Sequence, residues 1–408
     1  RIGWIGDIPT SWKCSKVKFC FSLVNGSTPE SSDYDCWDGD IKWITPADMS
    51  DTGTISQGER FITKYGYNSR GTTLLPVGSI VISSRAPIGK INITTAELCT
   101  NQGCKSLIRN ADNRYFYYLF LAGQNELSLL GRGTTFLELS TYNLNEFGIV
   151  IPAEDEQKAI ADFLDKECAQ IDSIAADFEK QIELLQQYKK SLITETVTKG
   201  LDKSVPMKDS GVEWIGEIPE HWRLKRLKYI AKLKTGTTPP GNEGINYDEN
   251  GINWFTPSDF LPNMQLDTSE KYIDRETIRY ENIQTYPRGS VLLVAIGATV
   301  GKIGISKNNA YSNQQITAVI PQHISGNYLL YYLASKSPYI KDNALYTTLP
   351  IINNSYLQNI TIVVPPTTEQ EKIVEFLNRK CSIIDELIED KNKLLLRLQQ
   401  HKKALIYE

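Results

Sequence analysis

The hexapeptide Trp4-Ile5-Gly6-Asp7-Ile8-Pro9 recurs as Trp214-Ile215-Gly216-Glu217-Ile218-Pro219. Further motifs recur in the same order, with nearly constant spacing between the copies: Gly-Ser/Thr-Thr-Pro at 26–29 and 236–239, Trp-Ile/Phe-Thr-Pro-Ala/Ser-Asp at 43–48 and 254–259, Gly-Lys-Ile at 89–91 and 301–303, Asn-Gln at 101–102 and 313–314, and Thr-Thr at 134–135 and 347–348. Self-similarity over a whole chain means that one structural unit is built twice.

Each copy has two parts. Residues 1–152 and 212–365 contain short β-rich runs separated by Gly, Pro and Asn, which is typical of mixed α/β domains. Segments 153–200 and 366–408 continue for about 40 residues almost without helix breakers, which predicts two long helices. Residues 201–211 form a linker between the first long helix and the second globular domain.

Apolar side chains recur every seven residues along both long segments, which predicts a coiled-coil seam. They are Leu164, Ile171, Phe178, Leu185 and Leu192 in the first segment, and Leu377, Ile384, Leu398 and Leu405 in the second. Each seam needs a partner, and the other helix of the same chain can provide it. The expected fold is α+β: two mixed α/β domains separated by two long antiparallel helices, in a pseudo-twofold internal repeat whose termini lie close together.

Composition excludes several classes of protein. The 408 residues are 23% charged and 41% hydrophobic, which is ordinary globular composition, and the longest nearly apolar run is about half of a membrane span. Seven cysteines without a Cys-x-x-Cys motif favour a reducing cytoplasm, and three histidines argue against a His-rich metal site. The net charge of −4 gives no direct support to nucleic-acid binding and does not exclude it.

No catalytic motif emerges from the sequence. The two Gly-Lys-Ile motifs are not phosphate-binding loops, because Ser84 and Ile296 replace the required glycine and isoleucine follows the lysine. There is no dinucleotide fingerprint and no credible Ser/His/Asp set. We therefore expect a non-catalytic protein with no cofactor or metal of its own.

The duplicated motifs, together with Pro365-Pro366-x-x-Glu369-Gln370 at the start of a long helix, resemble the specificity subunit of type I restriction–modification systems over the whole chain. The resemblance implies two target-recognition domains, each reading one half of a bipartite, asymmetric double-stranded DNA target. It also implies helices that set the spacer and dock two methyltransferase subunits, joined by two restriction subunits. S-adenosylmethionine, ATP and Mg would then belong to those partners, which methylate adenine and cleave DNA.

The repeat sorts the candidate DNA-binding residues into two groups. Residues shared by both copies should contact the DNA backbone or support the fold, whereas base-reading residues should differ between the copies. The shared or backbone candidates are Thr28, Lys90, Asn101, Gln102, Thr134, Thr135, Thr238, Lys302, Asn313, Gln314, Thr347 and Thr348, with Lys225 and Arg226 from a basic cluster at 223–234. The base-reading candidates are Arg85, Arg132, Asn242 and Asn250.

Alternative interpretations remain open at this point. The Asn-Gln pairs could read adenine or shape a turn, and Arg85 could form a salt bridge rather than read guanine. The chain could serve a two-subunit, type II-like restriction and methylation enzyme. It could also be a coiled-coil interaction scaffold that binds no DNA.

Overall fold

The computed structural model describes residues 2–85, 87–131, 138–239, 241, 244–246, 249–280, 285–346 and 349–408. The chain divides into two compact units. Unit 1 comprises Arg1–Phe178 with Lys393–Glu408, and unit 2 comprises Glu179–Asn392. Each unit therefore contains one globular domain and a part of both long helices.

The globular part of unit 1 alternates short strands with short helices. In chain order these are β1 Lys13–Lys16, β2 Ser22–Asn25, β3 Trp37–Ile44, β4 Thr52–Ile55, β5 Arg60–Ile62, α1 Lys64–Ser69, β6 Ile80–Ser83, β7 Ile91–Thr94, β8 Cys99–Thr100, β9 Cys104–Ile108, α2 Arg114–Ala122, α3 Gln124–Leu129, α4 Thr141–Glu146 and β10 Gly148–Ile151. The first long helix, α5, spans Glu154–Lys199.

Among the residues that the structure describes, unit 1 contains three sheets. The main sheet has the order β2-β9-β6-β7-β4, and its strands are antiparallel except for the parallel β4–β7 pair. A second sheet has the order β5-β3-β8, and β1 pairs with β10. Phe116 and Phe120 of α2 are buried in one core with Ile80 and Leu107 of the main sheet. This core holds the sheet and the loops at its edges in place.

The globular part of unit 2 has its own series of strands and helices. They are β11 Met207–Asp209, β12 Glu217–Pro219, β13 Arg223–Arg226, β14 Ala231–Thr235, β15 Ile245–Asn246, β16 Ile252–Phe255, β17 Gln265–Leu266, β18 Lys271–Ile273, α6 Arg275–Tyr280, β19 Val291–Val294, β20 Ile303–Ser306, β21 Tyr311–Ser312, β22 Ile316–Pro321, α7 Gly326–Asp342, β23 Leu345–Tyr346, β24 Pro350–Ile351, α8 Asn354–Asn359 and β25 Thr361–Val364. The second long helix, α9, spans Thr367–Tyr407.

The sheets of unit 2 repeat those of unit 1. Its main sheet has the order β14-β22-β19-β20-β17, again antiparallel except for its last pair, which is parallel. The second sheet, β15-β18-β16-β21, has one strand more, and β13 pairs with β25. Strand β11 lies in the segment expected to be a linker and pairs with β12, which belongs to the second hexapeptide. The internal repeat is thus a repeat of topology.

The same hydrogen bond occurs at the start of both long helices. Gln157 Nε2 donates to the carbonyl oxygen of Pro152 at 2.9 Å, and Gln370 Nε2 donates to that of Pro365 at 2.8 Å. Both glutamines are buried. Each one satisfies a carbonyl group immediately before the helix, where an unpaired buried acceptor would be destabilising.

The predicted seam residues lie along the helices with graded burial. Leu164, Ile171, Leu377 and Ile384 are buried, and the other five, Phe178, Leu185, Leu192, Leu398 and Leu405, are half-buried. Within unit 2, Lys189 contacts Asp385 and Lys391 contacts Gln181, so the two helices run antiparallel there. Trp4 and Leu405, near the two ends of the chain, pack against the same core of unit 1. The predicted α+β fold class is confirmed.

Candidate nucleic-acid interface

In each unit the Gly-x-Thr-Pro and Asn-Gln motifs lie together beside the end of the first strand of the main sheet. We call this place the junction. Gly26 N donates to the carbonyl oxygen of Cys104 at 3.1 Å, and Ser27 N donates to that of Thr100 at 2.8 Å. A Cβ atom on Gly26 would lie 1.8 Å from the Asn101 carbonyl oxygen, and one on Gly236 would lie 2.0 Å from that of Asn313. Only glycine allows this close approach of two backbone segments.

A threonine–glutamine contact occupies the surface of this junction in both units. Thr28 Oγ1 donates to Gln102 Oε1, and Thr238 Oγ1 donates to Gln314 Oε1. Both glutamines are exposed. Because the threonine orients the amide oxygen, the amide N–H groups of the glutamine are available as donors for a phosphate or a base edge.

The neighbouring asparagines have a different role. Asn101 Oδ1 accepts a hydrogen bond from Gly103 N at 2.9 Å, and Asn313 Oδ1 accepts one from Gln315 N at 3.1 Å. These bonds close the turn that presents the glutamine. The asparagine side chains therefore form the turn. The glutamine side chains are exposed and remain candidates for contact with DNA.

The Trp-x-Thr-Pro-x-Asp motif supports the same junction. Trp43 Nε1 donates to the carbonyl oxygen of Ser27 at 3.0 Å, and Trp254 Nε1 donates to that of Thr237 at 3.4 Å. Asp48 Oδ2 accepts from the backbone N–H of Thr45 at 2.7 Å and closes the turn after the tryptophan. These residues fix the Gly-x-Thr-Pro loop against the sheet.

Both motif lysines donate hydrogen bonds to backbone carbonyl groups, and Lys90 is half-buried whereas Lys302 is exposed. Lys90 Nζ donates to the carbonyl oxygens of Met49, at 2.7 Å, and Pro46, at 3.1 Å. Lys302 Nζ donates to that of Phe260 at 3.4 Å and is more exposed. The ammonium group of Lys90 is thus engaged in supporting the loop after the Trp-x-Thr-Pro-x-Asp turn.

Only some of the remaining DNA-binding candidates lie among the residues that the structure describes. Arg85 is exposed, and its Nε lies 3.3 Å from Glu138 Oε2, so it forms a salt bridge, which was the alternative to guanine reading. Asn250 is exposed in the loop before β16. Six further candidates, Arg132, Thr134, Thr135, Asn242, Thr347 and Thr348, lie outside the described residues. Lys225 and Arg226 are exposed on β13.

A buried lysine near Arg85 was not predicted from the sequence. Lys105 lies on β9, and its Nζ donates to Asn25 Oδ1 at 2.8 Å and to Thr141 Oγ1 at 3.1 Å. Burial lowers the pKa of its ammonium group, because desolvation disfavours the charged form. Nothing in the sequence indicates that this lysine faces inward from its strand. The equivalent residue in unit 2 is Thr317.

The residues that the structure describes contain neither a candidate metal site nor a candidate membrane span. No cluster of three or more His, Cys, Asp or Glu side chains there is arranged to hold a metal ion. Among the same residues, no helix is both long and apolar enough to cross a membrane.

Comparison with known proteins identifies the duplicated unit. Residues 9–184 and 219–397 each match the family described as the type I restriction modification DNA specificity domain. The chain is 27% identical to the MjaIX type I restriction enzyme specificity subunit of Methanocaldococcus jannaschii, over 98% of this chain and 93% of that protein. It is 25% identical to the EcoR124I/EcoR124II specificity subunit of Escherichia coli, over 88% of each chain.

Solved structures share the fold. A chain from a type I R-M system superposes with a TM-score of 0.75 at 16% identity, covering 98% of this chain and 97% of that one. The HsdS subunit of Thermoanaerobacter tengcongensis gives a TM-score of 0.51 at 17% identity, with 98% and 96% covered. With both repeats matched, the chain belongs to the type I restriction–modification DNA specificity family, whose members recognise DNA target sequences.

Proposed function

We propose that this chain reads a bipartite, asymmetric DNA sequence, with one half-site read by the globular domain of each unit. The observation that carries the proposal is that the two units share the threonine–glutamine contact but differ in neighbouring side chains. Thr28–Gln102 and Thr238–Gln314 repeat, whereas Arg85 and Lys105 are replaced by Gly297 and Thr317 in unit 2. A shared frame with different neighbouring side chains suits two readers of different base sequences.

The long helices are proposed to set the number of base pairs between the half-sites and to dock the partner subunits. Both helices contain residues of unit 1 and of unit 2. Large apolar side chains on them remain exposed, among them Phe163 at 54%, Ile174 at 45% and Leu387 at 45%. Exposed apolar surface on a helix is typical of protein interfaces, which suits two methyltransferase and two restriction subunits.

The catalytic work of the complex is assigned to those partners. We propose that the chain itself is a non-catalytic recognition subunit, and that adenine methylation and DNA cleavage take place on subunits that bind S-adenosylmethionine, ATP and Mg. The complex would act on DNA in the cytoplasm. The family match does not support the interaction scaffold without DNA or the two-subunit type II-like enzyme.

Mapping of methylated adenines tests the two-reader proposal. The chain is produced together with the methyltransferase subunits of its own system, and the methylated sites in the host genome are sequenced. We expect one split target with two different halves and a fixed gap of unspecified bases. Replacing residues 1–152 by the corresponding domain of another family member should change one half only, and a change in both halves would contradict the proposal.

The control exchanges the other domain. Replacing residues 212–365 should change the second half and leave the first half unaltered. An exchange that abolishes methylation altogether is resolved by measuring whether the chimaera still copurifies with the methyltransferase subunits. A chimaera that assembles and still methylates the original complete target would also contradict the proposal.

A further inference from the structure

A cluster of six cations lies within residues 223–234 of unit 2. It comprises Arg223, Lys225, Arg226, Lys228, Lys232 and Lys234, which we call the basic patch; it lies on β13, on the turn after it and on β14. Five of the six side chains are exposed, and Lys234 is half-buried. In the part of the chain that the structure describes, no carboxylate forms a salt bridge with any of them.

The neutral side chain of Asn359 contacts two cations of the basic patch. Arg226 Nη1 donates to Asn359 Oδ1 at 2.9 Å, and Lys228 Nζ donates to the same oxygen at 3.3 Å. An amide oxygen accepts these hydrogen bonds but brings no charge. The positive charge of Arg226 and Lys228 therefore remains uncompensated by this contact.

The equivalent surface of unit 1 has fewer cations and contains a carboxylate. Lys16 and Lys18 occupy the positions of Arg226 and Lys228, and both form salt bridges to Glu146, which stands at the position of Asn359. Hydrogen bonds from Lys16 and then from Lys18 lower the pKa of the Glu146 carboxyl, so it is charged at neutral pH. Of the other four cations in the basic patch, unit 1 retains only the counterpart of Arg223, which is Lys13.

We propose that the basic patch binds the phosphate backbone of duplex DNA, and that the residue at 146 or 359 determines how strongly each unit does so. Unit 2 then provides the larger, sequence-independent share of the affinity for DNA. This inference rests on the proposed function and adds an asymmetry to it.

The chemistry of the basic patch favours phosphates over base edges. Base reading needs a side chain held in one orientation, whereas a phosphate needs only a nearby cation. Lys225 on β13, and Lys232 and Lys234 on β14, have long flexible side chains, and none of the three is oriented by a hydrogen bond to another described residue. Each phosphate that a cation neutralises releases about 0.9 counterion from the DNA.

A reciprocal exchange at the two equivalent positions tests the proposal. Asn359→Glu adds the missing carboxylate to unit 2, and Glu146→Asn removes it from unit 1. Binding of the full chain to two duplexes of equal length is measured by fluorescence anisotropy over a series of salt concentrations. One duplex contains the target found by methylation mapping, and the other contains the same bases in scrambled order.

The two variants should change DNA binding in opposite directions. Asn359→Glu should weaken binding to both duplexes about tenfold near 0.1 M salt and reduce the salt slope by about 1 to 2. Glu146→Asn should strengthen binding to both and increase the slope. Partial unfolding would weaken binding in either variant, so it cannot produce this pattern. Asn359→Gln and Glu146→Asp preserve the charge and should bind as the unaltered chain does.

Two outcomes would overturn the proposal. One is unchanged affinity and salt slope for Asn359→Glu, as expected if the basic patch faces an acidic protein. The other is a loss confined to the target duplex, which would indicate base reading. Failure of the proposed function appears separately, because an unaltered chain that cannot distinguish target from scrambled duplex would contradict that function whatever the variants do.

Discussion

Lys189 Nζ lies 2.6 Å from Asp385 Oδ1 in unit 2, and in unit 1 Lys402 Nζ lies 2.6 Å from Asp172 Oδ1. The two lysines are equivalent positions of the repeat, and so are the two aspartates. In one unit α5 provides the lysine and in the other α9 provides it. The repeat therefore extends to the ion pairs that join the long helices.

We expect a measurable coupling between Lys189 and Asp385. The lysine side chain is only 14% exposed and the aspartate is 39% exposed. After allowance for screening by solvent, a double-mutant cycle with Lys189→Met and Asp385→Asn should give about 0.5 kcal/mol in urea unfolding. The pair Lys203–Glu195, with both side chains more than half exposed, is the control and should give a coupling near zero. Equal couplings for the two pairs would contradict the expectation.

Gly26→Ala should destabilise the chain by at least about 2 kcal/mol, because a Cβ atom there would overlap the backbone of Asn101. Thermal unfolding followed by circular dichroism would measure the loss. Gly3→Ala is the matched control: a Cβ atom on Gly3 has no neighbour within 4 Å, so its effect should stay within about 0.5 kcal/mol. A mild effect at Gly26 would mean that the junction can open without disturbing the sheet.

Trp222→Phe should destabilise unit 2 more than Trp12→Phe destabilises unit 1. Trp222 is 1% exposed, and its Nε1 donates to Glu369 Oε2 at 2.9 Å. Trp12 Nε1 is buried, and no acceptor among the described residues lies within hydrogen-bonding distance of it. Losing the Trp222 hydrogen bond should lower the free energy of unfolding by about 1 to 2 kcal/mol, beyond the change in packing.

Urea unfolding of the two tryptophan variants would measure this difference. The unaltered chain is the reference, and the same change of side chain at equivalent positions makes each variant the control for the other. Equal losses at Trp12 and Trp222 would show that packing alone accounts for the effect, and that the hydrogen bond to Glu369 contributes nothing measurable.

Acid should remove the stabilising contribution of Asp112, which lies just before α2. A hydrogen bond from Arg114 lowers the pKa of the Asp112 carboxyl, and Arg114 also forms salt bridges to Asp162 and Asp165 of α5. Between that lowered pKa and the ordinary value of about 3.9 the unfolded chain binds more protons than the folded chain. The contribution of Asp112 is therefore present above pH 4 and is lost as the pH falls through the lowered pKa.

Urea midpoints measured between pH 6 and pH 2.5 would test this dependence. Asp112→Asn should be less stable than the unaltered chain at pH 6 and should lose less stability on acidification. The two curves should run parallel above pH 5, because the Asp112 carboxyl takes up no protons there in either the folded or the unfolded chain. Curves that stay parallel down to pH 2.5 would mean that Asp112 does not respond to Arg114.

The sequence alone determined the repeat, the mixed α/β character of the two domains, the long helices and the family. These features depend on local periodicity and on motifs that can be compared between the copies, so they are visible without coordinates. The junction of Gly26, Thr28 and Gln102 was visible only in part. The motifs indicated shared residues, but no spacing in the sequence indicates that a threonine hydroxyl donates to a glutamine 74 positions away.

Only the tertiary structure decided which charges meet. Lys16 and Glu146 are 130 residues apart, and they face each other because β1 pairs with β10, directly after α4. The same pairing of β13 with β25 brings Asn359 to Arg226. Strand pairing between distant segments depends on how the whole core packs. The fold therefore places a carboxylate beside Lys16 and Lys18, and an uncharged amide beside the equivalent Arg226 and Lys228.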